Sequence, residues 1–512
     1  MKMKHRAGHN KVTVGQTAAG AASVMRIALG ILAAWSVVAV FYLFRGRYVN
    51  DEGWYCLISR EMWRGRSLYG EVRFSQMPLL PWFYGFWLQF LPSRIESGRI
   101  ISLLVGFSGL IAVWRTGALR YGAQAGLAGL VVLCLSRALP YDLTNVKTQS
   151  MSFALGAWTF YAAARVFAGD PRRLMWAALA GILAGLGVAC RLSLLPLSVF
   201  LPVAILLSSS AKRFCWRGAL VSAVGSVGLP MAVSLGYYLK AGDAFVFGVY
   251  KIHDFIGEGM PKALIFREFV TGTLSNNATW WMVMAVAAGL LIRLMPSKSN
   301  GGFAFELLVL CAWLCCTIIH MSRVPSYYVY QMSIAWGPPL LGAWLWKQLE
   351  GKSPQFRRGM AGCTVLLGLI TMPLQDGWLE FKEPRSPADI FDAARTFREN
   401  PGKALATLEV GLAFCAPEIK LLPGYEMSEF SFVPFSDPEL SLKYRGLTPE
   451  RVISDLRTKA DFTALRAMDL EILDPARRDP DMRAAMAQIQ PLAQIQNFGQ
   501  LGDLLLIGAK KR

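Results

Sequence analysis

The feature that most constrains this chain is the recurrence of uninterrupted apolar stretches as long as a lipid bilayer is thick. A helix needs about 20 apolar residues to cross the hydrocarbon core, and in that medium the backbone must satisfy its own hydrogen bonds. Stretches near that length stand at 24–44, 97–114, 122–139, 149–167, 174–190, 192–209, 218–239, 279–295, 303–320, 328–346 and 359–374. They predict an α-helical polytopic membrane protein with about eleven spans. Composition agrees: hydrophobic residues make up 54% and charged residues 17%, against roughly 25% charged in soluble domains. The aromatic stretch Pro78–Pro92 is bounded by prolines and too short to span, so it is expected to lie in the interface or re-enter. The basic start M-K-M-K-H-R leads into an apolar stretch without a small-residue cleavage site, which reads as a retained first helix.

The net charge of +19 divides unevenly along the chain. Residues 1–375 carry 35 Lys+Arg and 13 Asp+Glu, whereas 376–512 carry 18 and 21. The basic excess therefore belongs to the membrane half, where positive-inside loops and lipid phosphates account for it and nucleic acid does not. Alternate connections hold Lys2, Lys4, Arg6 and Lys11; Arg115 and Arg120; Arg165, Arg172 and Arg173; Lys212, Arg213 and Arg217; Arg293 and Lys298; Lys347, Lys352, Arg357 and Arg358. With eleven spans these share one side, the cytoplasm. The N-terminus is then inside and residues 376–512 outside, which in a Gram-negative inner membrane means the periplasm.

Of the thirteen acidic residues in the membrane half, ten (Asp51, Glu52, Glu61, Glu71, Glu96, Asp142, Asp243, Asp254, Glu258 and Glu268) map to the outer face. Carboxylates interleaved with Arg and aromatics suggest a site there. The tail 376–512 mixes short strand-like runs (404–410, 503–508) with helical stretches (387–399, 449–468), which predicts a small extracytoplasmic α/β domain. Seven of the nine cysteines lie in or beside apolar segments. Cys56 and Cys415 fall outside them, and a bridge between these two stays open. The four His are scattered, with no zinc-type spacing and no glycine-rich nucleotide motif.

Within the first outer loop (45–96), Asp51 and Glu52 stand at the membrane surface, and being adjacent they project differently, so only one can face a given reacting atom. The run Asp51-Glu52-x-x-Tyr55-x-x-Ile58-x-Arg60-Glu61-Met62 resembles the first-loop signature of the GT-C superfamily, the multispanning polyprenyl-phosphate-dependent glycosyltransferases. These include protein mannosyltransferases, the lipid A aminoarabinose transferase and Rgt-type galacturonosyltransferases. The order continues with the aromatic helix, R-x-x-S at Arg99–Ser102, an acidic residue after span three (Asp142), a basic residue between spans five and six (Arg191) and Tyr327-Tyr328 before a late span. The resemblance covers roughly residues 24–350. It departs at Trp54, where relatives of the aminoarabinose transferase carry Arg, at Gln76-Met77-Pro78, where they often have K-P-P, and at Arg191, where Lys is usual.

The resemblance implies a GT-C catalytic domain over 1–375, a polyprenyl-phosphate sugar donor, an acceptor that is a lipid, glycan or protein, and transfer with inversion. A phosphate leaving group needs no general acid, unlike the two carboxylates of glycosidases. What remains is a base, Asp51, with Glu52 beside it, and cations on the phosphate. Arg191, Arg323, Lys251 and Arg60 are candidate clamps, with Arg73 and Arg94 as substitutes, while Tyr55, Asp142, Tyr327 and Tyr328 complete the donor or substrate contacts. Structural alternatives are a helix N-cap for Asp51, a cap of span four for Asp142, snorkelling for Arg191 and an aromatic belt for the Tyr pair. No cofactor is certain, and a divalent cation stays open. The rival class is a transporter or flippase of lipid-linked sugars, which calls for ionisable groups near the midplane. Apart from Arg99, Arg165 and Arg293, each in the terminal turn of its stretch, the charged residues within the predicted spans are Glu306, Arg26 and Arg137.

The topology is testable directly. A single Cys placed near Pro480 is expected to react with a membrane-impermeant maleimide in outer-permeabilised cells. Reaction only after lysis would mean a miscounted span.

Overall fold

A computed structural model describes residues 7–136, 138–208, 212–256, 261–294, 303–321, 331–371, 386–427, 431, 439, 443–444, 446–466, 480–495 and 505–510. Within the described residues, each of the eleven apolar stretches contains helix. The first is α1 (Ala7–Arg45). After α2 (Asn50–Trp63) and α3 (Leu79–Leu88) come α4 (Ile95–Tyr121), α5 (Ala123–Cys134), α6 (Ala138–Thr144), α7 (Thr148–Phe167), α8 (Arg173–Cys190) and α9 (Leu195–Leu207). Further helices run over Lys212–Ala241 through a π-turn at Val224–Gly228, then Lys262–Leu294, Ala304–Met321, Gly337–Gln348 and Pro354–Thr371. Among the described residues, four helices are long and apolar enough to cross a membrane (within α1, α4, α8 and Trp216–Ala241), or five if α5 and α6 count together. The stretch 122–139 is therefore not a straight span, because α5 and α6 meet at an 82° bend. α6 contains Pro140 and brings Tyr141 back to the first loop, where its hydroxyl donates to the Arg47 carbonyl at 3.1 Å.

The packing follows residue size. Gly117 and Gly126 bring α4 and α5 together, since a Cβ on Gly126 would lie 2.6 Å from the Ala118 backbone nitrogen. Gly156 similarly seats Trp336 against α7. Within Pro78–Pro92, α3 buries Leu80, Tyr84 and Leu88 on one face and exposes Trp82, Phe86 and Trp87 on the other, an amphipathic pattern compatible with the expected interfacial or re-entrant position.

Residues 386–510 form an α/β unit around a five-stranded sheet of order β2-β1-β3-β5-β4, with β1 Ala404–Thr407, β2 Lys420–Leu421, β3 Phe462–Arg466, β4 Ile489–Ile495 and β5 Leu505–Lys510. β1 pairs in parallel with β2 and β3, and β5 runs antiparallel to β3 and β4. The helical reading of 449–468 is corrected: helix ends at Thr458, and Phe462–Arg466 is a wholly buried central strand. Alternation along β1 and β3 sends Leu405, Phe462 and Ala464 to one core and Ala406 and Leu465 to another. The first of these cores is shared with the first outer loop, where Tyr48, Trp54, Tyr55, Phe74 and Tyr84 join it. The C-terminal unit is thus packed onto the loop that carries Asp51.

The tightest approach is glycine on glycine. Gly53 of α2 faces Gly411, and a Cβ on Gly53 would sit 2.5 Å from the Gly411 nitrogen and collide with the Tyr48 hydroxyl. Forcing a methyl group into such a contact costs about 1–3 kcal/mol. Gly53→Ala is therefore expected to loosen the C-terminal unit, read as faster limited proteolysis between 386 and 510. Unchanged cleavage would show that the interface yields cheaply.

Candidate active site

Glu52 is fully buried and held by four donors. Arg99 meets it with both Nε (2.7 Å to Oε2) and Nη2 (2.6 Å to Oε1), and the backbone nitrogens of Val49 (3.1 Å) and Val146 (3.3 Å) complete the set. Arg99, equally buried, spends its remaining donors on the carbonyls of Tyr42, Gly46 and Arg47 at the end of α1. The fork of the guanidinium matches the carboxylate, and a fully satisfied pair is what lets two charges stay in a dry place. The R-x-x-S motif is thereby explained: Arg99 ties α1, α2 and the second outer loop together, and Ser102 shares a 2.8 Å hydrogen bond with Tyr84 of α3. Glu52 also takes the helix-capping duty considered for Asp51, since it accepts the hydrogen of Val49, the N-cap of α2.

Asp51, one position earlier, points elsewhere. Its side chain is 32% exposed and meets Lys147 at 3.4 Å. Lys147 is the N-cap of α7, and the next residue, Thr148, accepts a 2.5 Å hydrogen bond from Arg191 Nη1. Arg191 Nε reaches Ser193 Oγ and His320 Nε2, both at 3.2 Å, and those two atoms are 2.7 Å apart. Arg191 is buried and bonded from three elements, so it does not snorkel to water. Asp51, Lys147, Thr148, Arg191, Ser193 and His320 form a continuous line across the start of α7. The line passes the N-terminus of α7, and a helix N-terminus favours anions.

Other predicted residues are placed differently. Asp142 is buried within α6 and is not the cap of the following helix. Tyr55 is buried against Trp54 and Phe74, at ring distances of 4.7 and 6.0 Å. Arg60 is turned away from the line: its Nη1 donates to the Phe414 carbonyl at 2.7 Å and its Nη2 to that of Ala413 at 3.3 Å, so it caps the short helix Val410–Cys415. Burial lowers its pKa. Arg73 likewise donates to the Ser431 carbonyl, and burial brings its pKa down to about 10. Arg94 stacks on Phe391 at 3.9 Å. Lys251 is exposed, and Arg323, Tyr327 and Tyr328 lie outside the described residues. Cys56 and Cys415 are both free and buried, and burial pushes the Cys415 thiol up to about 12 and Cys56 well above the usual thiol range, so the bridge left open is not formed.

Among the described residues no three His, Cys, Asp or Glu come together to hold a metal. Asp51 has a lysine beside it. Lys147, Thr148, Ser193 and His320 were missed in sequence. Lys147 did carry a signal, as a basic residue in an outer loop against the positive-inside bias, whereas a Ser or a His at a span end is unremarkable. Glu306, singled out as intramembrane, sits in the first turn of Ala304–Met321, where Tyr121 donates to it at 2.6 Å and Arg120 at 3.4 Å. It locks helix ends together.

The roles separate by energy. Removing one partner of a buried pair costs about 3–5 kcal/mol, so Glu52→Gln and Arg99→Ala are expected to lower the melting temperature of the detergent-solubilised protein by several degrees. Asp51→Asn should leave it within about a degree. Equal destabilisation by all three would remove the distinction between anchor and reacting group.

Comparison with known proteins places this geometry. Residues 75–238, which include Arg99, Asp142, Lys147 and Arg191, match the family model described as dolichyl-phosphate-mannose-protein mannosyltransferase. No curated protein sequence matches the chain. The fold is similar to that of ArnT from Cupriavidus metallidurans bound to undecaprenyl phosphate (TM-score 0.55, 14% identity, covering 93% of this chain and 98% of that one). It is also similar to the Archaeoglobus fulgidus oligosaccharyltransferase tethered to an acceptor peptide (TM-score 0.56, 12% identity, 95% and 74%). A third match is AglB from the same organism with an inhibitory peptide and a dolichol-phosphate (TM-score 0.53, 11% identity, 94% and 74%). Residues 75–238 thus match the model of the dolichyl-phosphate-mannose-protein mannosyltransferase family, in a chain whose fold is similar to that of ArnT and of the archaeal oligosaccharyltransferase.

Proposed function

We propose that the protein moves a sugar from a polyprenyl-phosphate donor to a lipid, glycan or protein acceptor on the outer face of a bacterial cytoplasmic membrane, crossed by about eleven spans with the N-terminus inside. The observation that carries this reading is the line from Asp51 through Lys147 and Thr148 to Arg191, a carboxylate beside a row of anion-binding groups. Undecaprenyl phosphate in the ArnT structure and dolichol-phosphate in the AglB complex support a lipid-phosphate donor.

Asp51 takes the proton of the acceptor hydroxyl as that oxygen bonds to the anomeric carbon. The carbon–oxygen bond to phosphate breaks, and polyprenyl phosphate leaves with the electron pair. A single displacement inverts the centre. Arg191, Lys147 and the α7 N-terminus hold the phosphate and stabilise the charge it gains. Lys147 stands in for the lysine that relatives carry before the aromatic helix. Thr148, Ser193 and His320 orient Arg191. Lys251, Arg323, Tyr327, Tyr328 and Asp142 are assigned to donor or acceptor contacts. The transporter reading loses ground because Glu306 is paired at a helix end.

Loss of a general base costs about 10²–10⁴ in rate, so Asp51→Asn should nearly abolish transfer in membranes of a deletion strain, with the product followed by mass spectrometry. Substantial remaining activity would remove Asp51 from its role. Loss of a charged hydrogen bond to phosphate is worth about 1.5–3 kcal/mol, roughly tenfold to a hundredfold. Arg191→Ala and Lys147→Ala should each weaken undecaprenyl phosphate binding to that extent, and Arg191→Lys should retain part of it. Unchanged binding in both alanine variants would move the phosphate elsewhere.

A further inference from the structure

The C-terminal unit inserts one carboxylate into the loop that carries Asp51. Glu409, fully buried, begins the helix Val410–Cys415, whose residues are all buried. Its Oε1 accepts a 2.7 Å hydrogen bond from the Tyr48 hydroxyl. Burial and the neighbouring Glu409 carboxylate raise the Tyr48 pKa well above its ordinary value, so that proton stays on the phenol to be donated. With the Asn50 amide turned to satisfy both of its neighbours, its Nδ2 donates to Glu409 Oε2 at 2.6 Å, and its Oδ1 accepts from buried Arg466 of β3. The amide bridges a buried anion and a buried cation.

Asp51 is the next residue. On its other side, Glu52 is fixed by Arg99. The base candidate thus stands, partly exposed, between two neighbours held by buried partners, and one of the two clamps belongs to a part of the chain some 360 residues away. Glu409 and Arg466 are held buried through the Asn50 amide, as Glu52 and Arg99 are held by each other, so both neighbours of Asp51 are fixed by buried charge. An arrangement that sets the angle of a reacting group gains from it, since catalysis depends on sub-ångström placement.

We infer that Glu409, acting with Arg466 through the Asn50 amide, is a positioning residue for Asp51, so that the C-terminal unit is a working part of the catalytic centre. The inference rests on the role proposed above for Asp51.

The chemistry offers a swap that separates positioning from bulk stability. Glu409→Gln keeps an acceptor for Tyr48 but turns an NH₂ group toward the Asn50 NH₂. Adding Asn50→Asp restores an acceptor there and gives Arg466 a carboxylate. The test uses the full chain, purified in detergent and added to membranes of a deletion strain, which contain donor and acceptor. Transfer is followed by mass spectrometry, and affinity for undecaprenyl phosphate is measured by calorimetry. Glu409→Gln and Glu409→Ala are expected to cut the rate tenfold to a hundredfold with affinity within twofold. The swap Glu409→Gln/Asn50→Asp should recover most of the rate. Full activity in the single variants while Asp51→Asn is dead would overturn the inference and spare the reading of Asp51. An active Asp51→Asn would instead sink that reading. A parallel loss of affinity, or a swapped protein of normal melting temperature that stays slow, would also overturn the inference. Should the Glu409 variants not accumulate, Tyr48→Phe, which removes one hydroxyl and no charge, decides it: a severalfold lower rate at unchanged affinity supports positioning, and an unchanged rate refutes it.

Discussion

The buried pair of Glu52 and Arg99 is the interaction on which the outer half of the molecule depends. Six carbonyl or carboxylate oxygens converge on one guanidinium, and they come from the end of α1, the loop after it and α2. Val146 adds the second outer loop through the same carboxylate. In a low-dielectric setting neither charge would be tolerable alone, which makes the arrangement all-or-none. One consequence is geometric. With Glu52 turned inward, the helical repeat sends its neighbour Asp51 to a different face, toward the start of α7. The adjacency of the two carboxylates is therefore a division of labour between an anchor and an exposed group.

The same economy governs the arginines of the first loop. Arg60, Arg64 and Arg73 donate to backbone carbonyls of the C-terminal unit, and Arg66 pairs with Glu426 at 3.1 Å. Arg60, which reads as a phosphate clamp, and Arg73, which reads as a substitute, thus belong to this docking set, because backbone carbonyls attract guanidinium groups as phosphates do. The cations along the α7 start come instead from the second outer loop and the α8–α9 junction. They lie across from Asp51 and next to the helix N-terminus, and that placement gives the proposed donor-phosphate locus its electrostatic sense. Glu409 adds a third element to the same idea, since the unit that the arginines dock then reaches back to the residue beside Asp51.

How much of this was legible beforehand depends on the range of the interaction. Apolar stretches of bilayer length mark helices because hydropathy is local, and all eleven are helical in part or whole. The interfacial helix Leu79–Leu88 and the strands near 404 and 505 were legible for the same reason. The bend between α5 and α6, the extension of Lys262–Leu294 ahead of its apolar portion and the strand Phe462–Arg466 were not. Each depends on what packs against it: β3 is strand because β1 and β5 flank it, and its sequence F-T-A-L-R would also pass for helix.

Within the site, the sequence by itself determined that a carboxylate pair follows the first apolar stretch; that Arg99, Asp142 and Arg191 share its face, and that a phosphate is the leaving group, are expectations carried by the resemblance. Only the tertiary structure decided which carboxylate is buried, that Arg60 serves the C-terminal unit, and that Lys147 and His320 join the line. Residue type and spacing report on neighbours within a few turns. The partner of a charge 50 to 360 positions away is selected by burial, which exists only once the helices and the sheet have packed.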